Sequence, residues 1–423
     1  MMTTVQQVNH RERGAADARE APSRRRRLAA AALAPAGALA LFGCANDAPQ
    51  DTWQAAGPNA QKIDDLQRPV FYVAGVVGLI VFAVVGWVVF RFRDRGQAVP
   101  EQTHGKPALE VMLTILPVMI LIGVGVPTVS VIWDLAKIDD TEMVINVTGQ
   151  QWWWEYDYPA QGDFGIEAPI VTSGQLIIPE DTKVLLRITS RDVIHSYWIP
   201  KLNGKKDAVP GRVHTLRMEG STPGIYAGQC TEFCGLSHAN MRMEAVVLTR
   251  ADFDTWIANQ QRNVERLTVE GGATEAQLRG QDTFEQQCSR CHQVNGATNE
   301  AGDAIISTPE TQVVAGAAPN LTHLMSRNTF AGASFDLLTE ACRADVWEAT
   351  PDEFGKRYLE GVTTECLNER DLRAWIRNAP AMKPMYADPA DAEDTGGRVR
   401  GMPYLALGED QIDDLVAYLL ELK

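Results

Sequence analysis

Cys230-Thr-Glu-Phe-Cys234-Gly-Leu-Ser-His238-Ala-Asn-Met241 sets two thiols, an imidazole and a thioether within twelve residues. Soft sulfur donors with imidazole suit copper or zinc, and a methionine ligand tilts the choice toward copper. One loop rarely supplies every ligand. His195, in Asp192-Val-Ile-His195-Ser-Tyr-Trp-Ile-Pro200, stands at the start of another turn and can close the site. Bridging thiolates with two histidines can hold a pair of coppers that share one electron. Such a centre changes geometry little on redox, which suits electron transfer rather than bond-making. Without the histidines, the same cysteines fit a structural disulfide or a zinc site.

Working outward, the loop lies in a β-rich region, 141–250. Glu142–Thr148, Trp152–Tyr158, Lys183–Thr189, Arg212–Met218 and Met243–Thr249 read as short strands rich in β-branched and aromatic residues, separated by Gly/Pro turns. That pattern is a β-sandwich or barrel. Upstream, 70–90 and 111–133 are free of charge and long enough to span a bilayer as helices. The loop between them carries Arg91, Arg93, Arg95 and Lys106, so it belongs in the cytoplasm and both ends belong outside. Residues 44–69 form an outer N-terminal segment. Residues 1–43 read as a lipoprotein-type signal peptide: a basic run, Arg24–Arg27, then Leu28 to Phe42 without charge, then Gly43 and Cys44. Cys44 is the expected lipidated residue; a cleaved signal with an unmodified Cys44 and an uncleaved anchor are the alternatives.

Downstream, Cys288-Ser-Arg-Cys291-His292 is a CxxCH haem-attachment signature. Two thiols add to the haem vinyls and the adjacent imidazole reaches the iron. Thr274 and Gln277 form a capping-box pattern that opens the helix leading to it. Ile412, Leu415, Val416 and Leu419 mark one face of a docked C-terminal helix. Residues 251–272 read as a linker with a polar helical tract. Residues 273–423 then form an all-α class I cytochrome c domain with an insertion near 334–370. Three methionines, Met382, Met385 and Met402, are candidates for the second axial ligand. Met402-Pro403 lies closest to the last helix and has the Met-Pro form of such loops.

The averages over 423 residues hide these extremes. Hydrophobic residues make up 45%, charged residues 22%, and the net charge is -15, which disfavours a nucleic-acid partner. Seven cysteines are too few for a disulfide scaffold and, being odd in number, require another use for at least one thiol.

The stretch from Cys230 to Met241, with Val193-Ile-His195-Ser-Tyr-Trp198, Asp207-Ala-Val-Pro210-Gly211 and Pro223-Gly-Ile-Tyr226-Ala-Gly-Gln-Cys230, resembles the dinuclear copper (CuA) domain of cytochrome c oxidase subunit II. The resemblance covers roughly 60–255 and implies a two-helix transmembrane hairpin followed by a cupredoxin-like β-barrel. It implies His195, Cys230, Glu232 (through its carbonyl), Cys234, His238 and Met241 as copper ligands. The Glu232 carboxylate matches a ligand of a Mg or Mn ion at the interface with the catalytic subunit. Gln151-Trp152-Trp153-Trp154-Glu155-Tyr156 resembles the family's aromatic cluster, in which Trp152 is where electrons enter; plain packing is the alternative. Glu110 matches the glutamate at the mouth of a proton-uptake path, or is an ordinary helix-start acid. Ala318-Pro-Asn-Leu-Thr-His323 resembles a haem-lining segment of fused cytochrome c domains, with His323 beside the haem rather than on the iron.

With the fused haem, the whole chain resembles subunit II of a caa-type oxidase. The implied reaction oxidises cytochrome c and, in a partner subunit, reduces oxygen to water with proton pumping. The implied partners are subunit I, bearing haem a and copper, subunit III, an upstream cytochrome c or bc complex, and membrane lipid. A nitric oxide reductase subunit and a non-enzymatic membrane-anchored electron shuttle are the rival readings. Cys342 and Cys366, on the outer face, are expected to form a disulfide, with two free thiols as the alternative.

Overall fold

Two long helices begin the described part of the chain, which comprises residues 48–96, 104–138, 142–294, 318–387 and 400–423 of a computed structural model. The expected signal segment and Cys44 lie outside the described residues. Contacts separate a unit from Met1 to Ala48 from one spanning Pro49–Lys423, and the description below concerns the second.

Helix α1 spans Pro58–Arg91 and α2 spans Pro107–Leu135. Both start with proline in the first turn, where its missing N–H costs nothing. Both are long and apolar enough to cross a membrane, and their apolar side chains project outward uncovered, as lipid-facing helices require. Helix α1 starts earlier than the charge-free run predicts. The extra turns carry Asn59, Ala60 and Asp64, all buried, and Asn59 Nδ2 donates to the Arg217 carbonyl at 3.3 Å. The foot of α1 is thus part of the outer domain, where polar contacts replace lipid. Lys62 pairs with Asp134, tying the outer ends of the two helices together.

Ten strands follow. They are β1 (Met143–Gln150), β2 (Trp153–Tyr158), β3 (Ile170–Ser173), β4 (Gln175–Pro179), β5 (Val184–Ser190), β6 (His195–Tyr197), β7 (Lys206–Ala208), β8 (His214–Met218), β9 (Gly224–Gln229) and β10 (Arg242–Leu248). A five-stranded sheet runs β3-β2-β1-β5-β8, a three-stranded sheet runs β4-β10-β9, and β6 pairs with β7. In β1 and β5, Met143, Ile145, Val147, Val184, Leu186 and Ile188 alternate inward and are fully buried. Each such side chain contributes on the order of 1.5–3 kcal/mol of burial free energy. This is the cupredoxin-like domain. The five strands expected from sequence are present within a residue or two at each end; the short strands β3, β4, β6, β7 and β9 add to them.

The segment after β10 is not a free linker. Helix α3 (Arg250–Gln260) buries Phe253, Trp256 and Ile257, and Trp256 packs on Tyr158 of β2 with ring centroids 5.2 Å apart. The polar surface of the tract dominates its composition, but these three apolar residues decide its placement.

The C-terminal part is mostly helical. Helix α4 (Glu275–Thr283) opens with the expected capping box of Thr274 and Gln277 and continues as a wider π turn over Phe284–Cys288. A hairpin of β11 (Thr329–Phe330) and β12 (Phe335–Asp336) precedes α5 (Glu340–Trp347), α6 (Pro351–Leu359), α7 (Glu369–Met382) and α8 (Glu409–Leu419). Helices α4 and α8 cross at Gly280, where a Cβ would lie 1.9 Å from the Asp414 carbonyl oxygen. Ile412, Leu415, Val416 and Leu419 of α8 are buried. Cys342 and Cys366 are joined by a disulfide, closing a loop of 24 residues' separation.

The insertion near 334–370 lies on the seam with the β domain. Tyr358 Oη donates to Gln175 Oε1 at 3.1 Å, and the Asn328 N–H donates to the same oxygen at 3.0 Å. Gln175 Nε2 in turn donates to buried Glu244 at 2.8 Å. Arg327, buried, donates to Ser173 Oγ at 2.9 Å and to the Asn320 carbonyl at 2.5 Å. The β domain and the C-terminal domain therefore share one continuous core and a polar seam.

Candidate metal centre and haem cavity

The loop between β9 and β10 folds back so that its donors meet. Cys230 and Cys234 are free thiols with sulfurs 3.9 Å apart, so the disulfide reading does not hold here. His195 Nδ1 lies 4.0 Å from Cys230 Sγ, and His238 Nδ1 lies 3.6 Å from Cys234 Sγ. Met241 Sδ is 3.8 Å from Cys234 Sγ, and the Glu232 carbonyl accepts from Cys230 Sγ at 3.3 Å. Strand β6 supplies His195; the loop supplies the rest. All six residues implied by the resemblance thus bring donor atoms into one cluster, His195 and Glu232 against Cys230, His238 and Met241 against Cys234. Among the described residues, His195, Cys230 and Cys234 form the only group of three such ligands close enough to share an ion. Sulfur, imidazole, thioether and carbonyl together form a donor set that fits copper.

Electrostatics agree with a site built for metal. The hydrogen bond from Cys234 holds the Cys230 thiol well below its ordinary range, and the same contact plus burial pushes Cys234 up. Metal binding at such a pair requires its thiols to be deprotonated. Burial pulls His195 down, but its bonds to Asp192 and Cys230 outweigh that and leave it raised. His195 Nε2 bonds to Asp192 Oδ1 at 2.8 Å, and the Gln151 N–H donates to Asp192 Oδ2 at 2.8 Å. A carboxylate behind a ligand histidine fixes its ring and tautomer. Asp192 lay three residues before His195 in the quoted motif, the one signal that could have assigned it this role.

Trp152 donates its indole N–H to the Cys234 carbonyl at 3.0 Å, and Gln151 Nε2 donates to the same oxygen at 2.7 Å. Gly235, at φ +111°, lets them approach: a Cβ there would meet Gln151 Nε2 at 3.0 Å and Trp152 Cζ2 at 3.2 Å. Trp152 is only 3% exposed, because the C-terminal domain covers it. Trp154 packs edge-on against Tyr197 and His195 within the core. The Glu232 side chain is exposed. Glu110 is exposed in the first turn of α2.

In the C-terminal domain, an apolar cavity is lined by Cys288, His292 and Met402 together with Phe284, Leu321, Leu324, Leu372, Trp375, Ile376, Leu415 and Leu419. His292 Nδ1 bonds to the Pro319 carbonyl at 2.8 Å, leaving Nε2 as the coordinating nitrogen. Burial pulls the His292 pKa down, which favours the neutral, ligating form. Cys288 and Cys291 are free. Two thiols, an imidazole, a thioether and apolar walls fit a covalently attached haem. Of the three methionines, Met402 lines the cavity; Met385 Sδ instead accepts the Met402 N–H at 3.1 Å. His323 is buried but does not line the cavity.

Residues 143–248 match the family described as cytochrome c oxidase subunit II, periplasmic domain, and residues 47–131 match its transmembrane domain. A cytochrome c oxidase subunit 2 from Alkalihalophilus pseudofirmus is 30% identical over 395 residues, 91% of this chain and 94% of that one. Another, from Bacillus sp. (strain PS3), is 29% identical over 79% of each chain. The solved periplasmic domain of subunit II from Bradyrhizobium japonicum is 26% identical, with a TM-score of 0.27, over 30% of this chain and 97% of that one.

Proposed function

Because the chain belongs to the cytochrome c oxidase subunit II family, and so to an oxidoreductase complex of the membrane, we propose that it is the electron-receiving subunit of a caa-type haem-copper oxidase. Its two outer domains stand on the extracytoplasmic face. In this reading Cys288, Cys291, His292 and Met402 would hold a haem c that takes electrons from an upstream cytochrome c or bc complex, and His195, Cys230, Glu232, Cys234, His238 and Met241 would hold the copper that passes them toward subunit I, where oxygen is reduced with proton pumping. When bound, the haem and the copper pair each supply a one-electron carrier that changes shape little on redox.

The observation that carries the reading is the convergence of six donor groups from β6 and one loop, with sulfur-to-sulfur and sulfur-to-nitrogen separations of 3.6–4.0 Å. The chain's own work is to hold those donors still. Asp192 fixes the His195 ring, and Gln151 and Trp152 pin the loop through the Cys234 carbonyl. Exposed apolar side chains on the copper-loop and His195 turns, Val193, Ile194, Phe233 and Leu236, offer a seat for subunit I. In the same reading, the exposed Glu232 carboxylate reaches a Mg or Mn ion completed by that partner. Glu110 lies at the entrance of its proton path, and Cys44 carries lipid. Fusion makes delivery intramolecular, so its effective concentration is set by geometry rather than diffusion.

The test is the composition of the purified complex. Copper, covalent haem c and a haem-a-bearing partner should co-purify, and Cys230→Ser should abolish the CuA absorption and turnover with oxygen. A complex that retained turnover without that absorption, or a chain purified alone without a haem-a partner, would contradict the reading.

A further inference from the structure

We propose that Tyr386 is the contact that joins the C-terminal haem cavity to Trp152, completing a path of side-chain and backbone contacts from Met402 to Cys234. The proposal rests on the haem-and-copper reading above. Its links are all present in the structure. Met402 lines the cavity, and its N–H donates to Met385 Sδ at 3.1 Å. Tyr386 follows Met385 in the chain, and its carbonyl accepts the Arg400 N–H at 2.6 Å, so the two cavity-facing segments are laced together. The Tyr386 ring stacks obliquely on the Trp152 ring at 5.5 Å between centroids. The Trp152 indole then donates to the Cys234 carbonyl at 3.0 Å.

This contact is held firmly rather than reached by diffusion. Lys383, three residues before Tyr386, is 3% exposed. Its ammonium donates to the Trp152 carbonyl at 2.8 Å, the Ala331 carbonyl at 2.7 Å and Ser334 Oγ at 3.2 Å. A buried amine is costly unless its hydrogens are satisfied. Here all three go to acceptors on both domains, so the amine serves as a clamp. Two further bonds seat the same segments on the metal loop: Ser237 Oγ donates to the Pro384 carbonyl, and Ser334 Oγ donates to the Asn240 carbonyl, each at 2.5 Å. Lys383 is thus a positioning residue, and Tyr386 is the side chain it positions.

With both groups bound, one electron would be exchanged per event, the haem supplying it and the copper pair accepting it. No bond forms or breaks, and no proton moves at Tyr386. The covering of Trp152 also means that a soluble donor reaches copper through the C-terminal domain, because the indole face is already occupied.

The test compares wild type, Tyr386→Leu and Tyr386→Phe in the full chain within its complex. Spectra first establish covalent haem and copper in the wild type; their absence overturns the reading beneath this proposal, and the proposal with it. Flash photoreduction of the haem then follows copper reduction. The leucine variant should lose the fast phase while both spectra stay unchanged, and the phenylalanine variant should keep it. A fast phase intact in the leucine variant overturns the role of Tyr386 while leaving the underlying reading untouched. Hydroxyl-radical footprinting of the copper-free chain gives a readout independent of electron flow. Trp152 should be protected in wild type and Tyr386→Phe and labelled in Tyr386→Leu; equal labelling in all three refutes the contact.

Discussion

Replacing Glu244 by glutamine should remove a fall in stability expected of the wild-type chain between pH 4.5 and about 7. Glu244 sits on β10 beneath the seam between the outer domains, and its Oε2 accepts from Gln175 Nε2 at 2.8 Å. Burial pushes its pKa from 4.5 up to about 7, only partly offset by that hydrogen bond. The folded chain therefore holds this proton more tightly than the unfolded chain. Below pH 4.5 both states are protonated and the burial costs nothing. As the pH rises through that value the unfolded chain ionises first, so the folded state loses relative stability until the buried carboxyl ionises near pH 7. At about 1.4 kcal/mol per pH unit, the gap between 4.5 and about 7 amounts to a loss of about 3 kcal/mol.

Glutamine is nearly isosteric, stays neutral and can still accept from Gln175. Above pH 7 the variant should thus be more stable by about 3 kcal/mol, less up to about 1 kcal/mol for the altered hydrogen bond. Urea unfolding of the full chain in detergent, followed by tryptophan fluorescence at steps from pH 4 to 8, measures the difference. Other titrating groups are common to both proteins and cancel. Parallel stability curves for the two across that window would refute the argument that the Glu244 carboxyl is buried and charge-averse.

Three further outcomes are expected. Asp192→Asn weakens the acceptor behind His195 and should reduce copper affinity by about 10–100-fold, measured by competition with a chelator of known affinity. Met402→Ala should leave the haem attached through Cys288 and Cys291 but change its absorption spectrum and reduction potential; an unchanged spectrum would move the ligand to Met385 or Met382. Replacing Cys342 and Cys366 together by serine opens their loop and should cost about 3 kcal/mol of stability, seen as a denaturation midpoint below that of oxidised wild type and close to that of reduced wild type.

Much of the molecule was legible because its signals are local. Two charge-free runs announce α1 and α2, since only length and the absence of charge matter in lipid. The alternation in Met143–Val147 and Val184–Ile188 reveals half-buried strands at period two. The short strands carry too few residues for such a period. Helix α3 misled for the opposite reason: its three buried apolar residues are outnumbered by polar ones. The insertion had no functional account in the sequence, because its role lies in contacts such as Tyr358 to Gln175, separated by 183 residues.

The sequence by itself determined the chemistry. Cysteine, histidine and methionine at these spacings suit copper and a CxxCH suits haem attachment, since ligand type and short-range geometry decide what a site can bind. The tertiary structure alone decided how the two candidate centres meet. It brought Met402 rather than Met385 to the cavity wall, placed Asp192 behind His195, and laid Tyr386 and Lys383 over Trp152, more than 230 residues away in the chain. Contacts of that kind arise from the packing of whole domains, and no local pattern of residues encodes them.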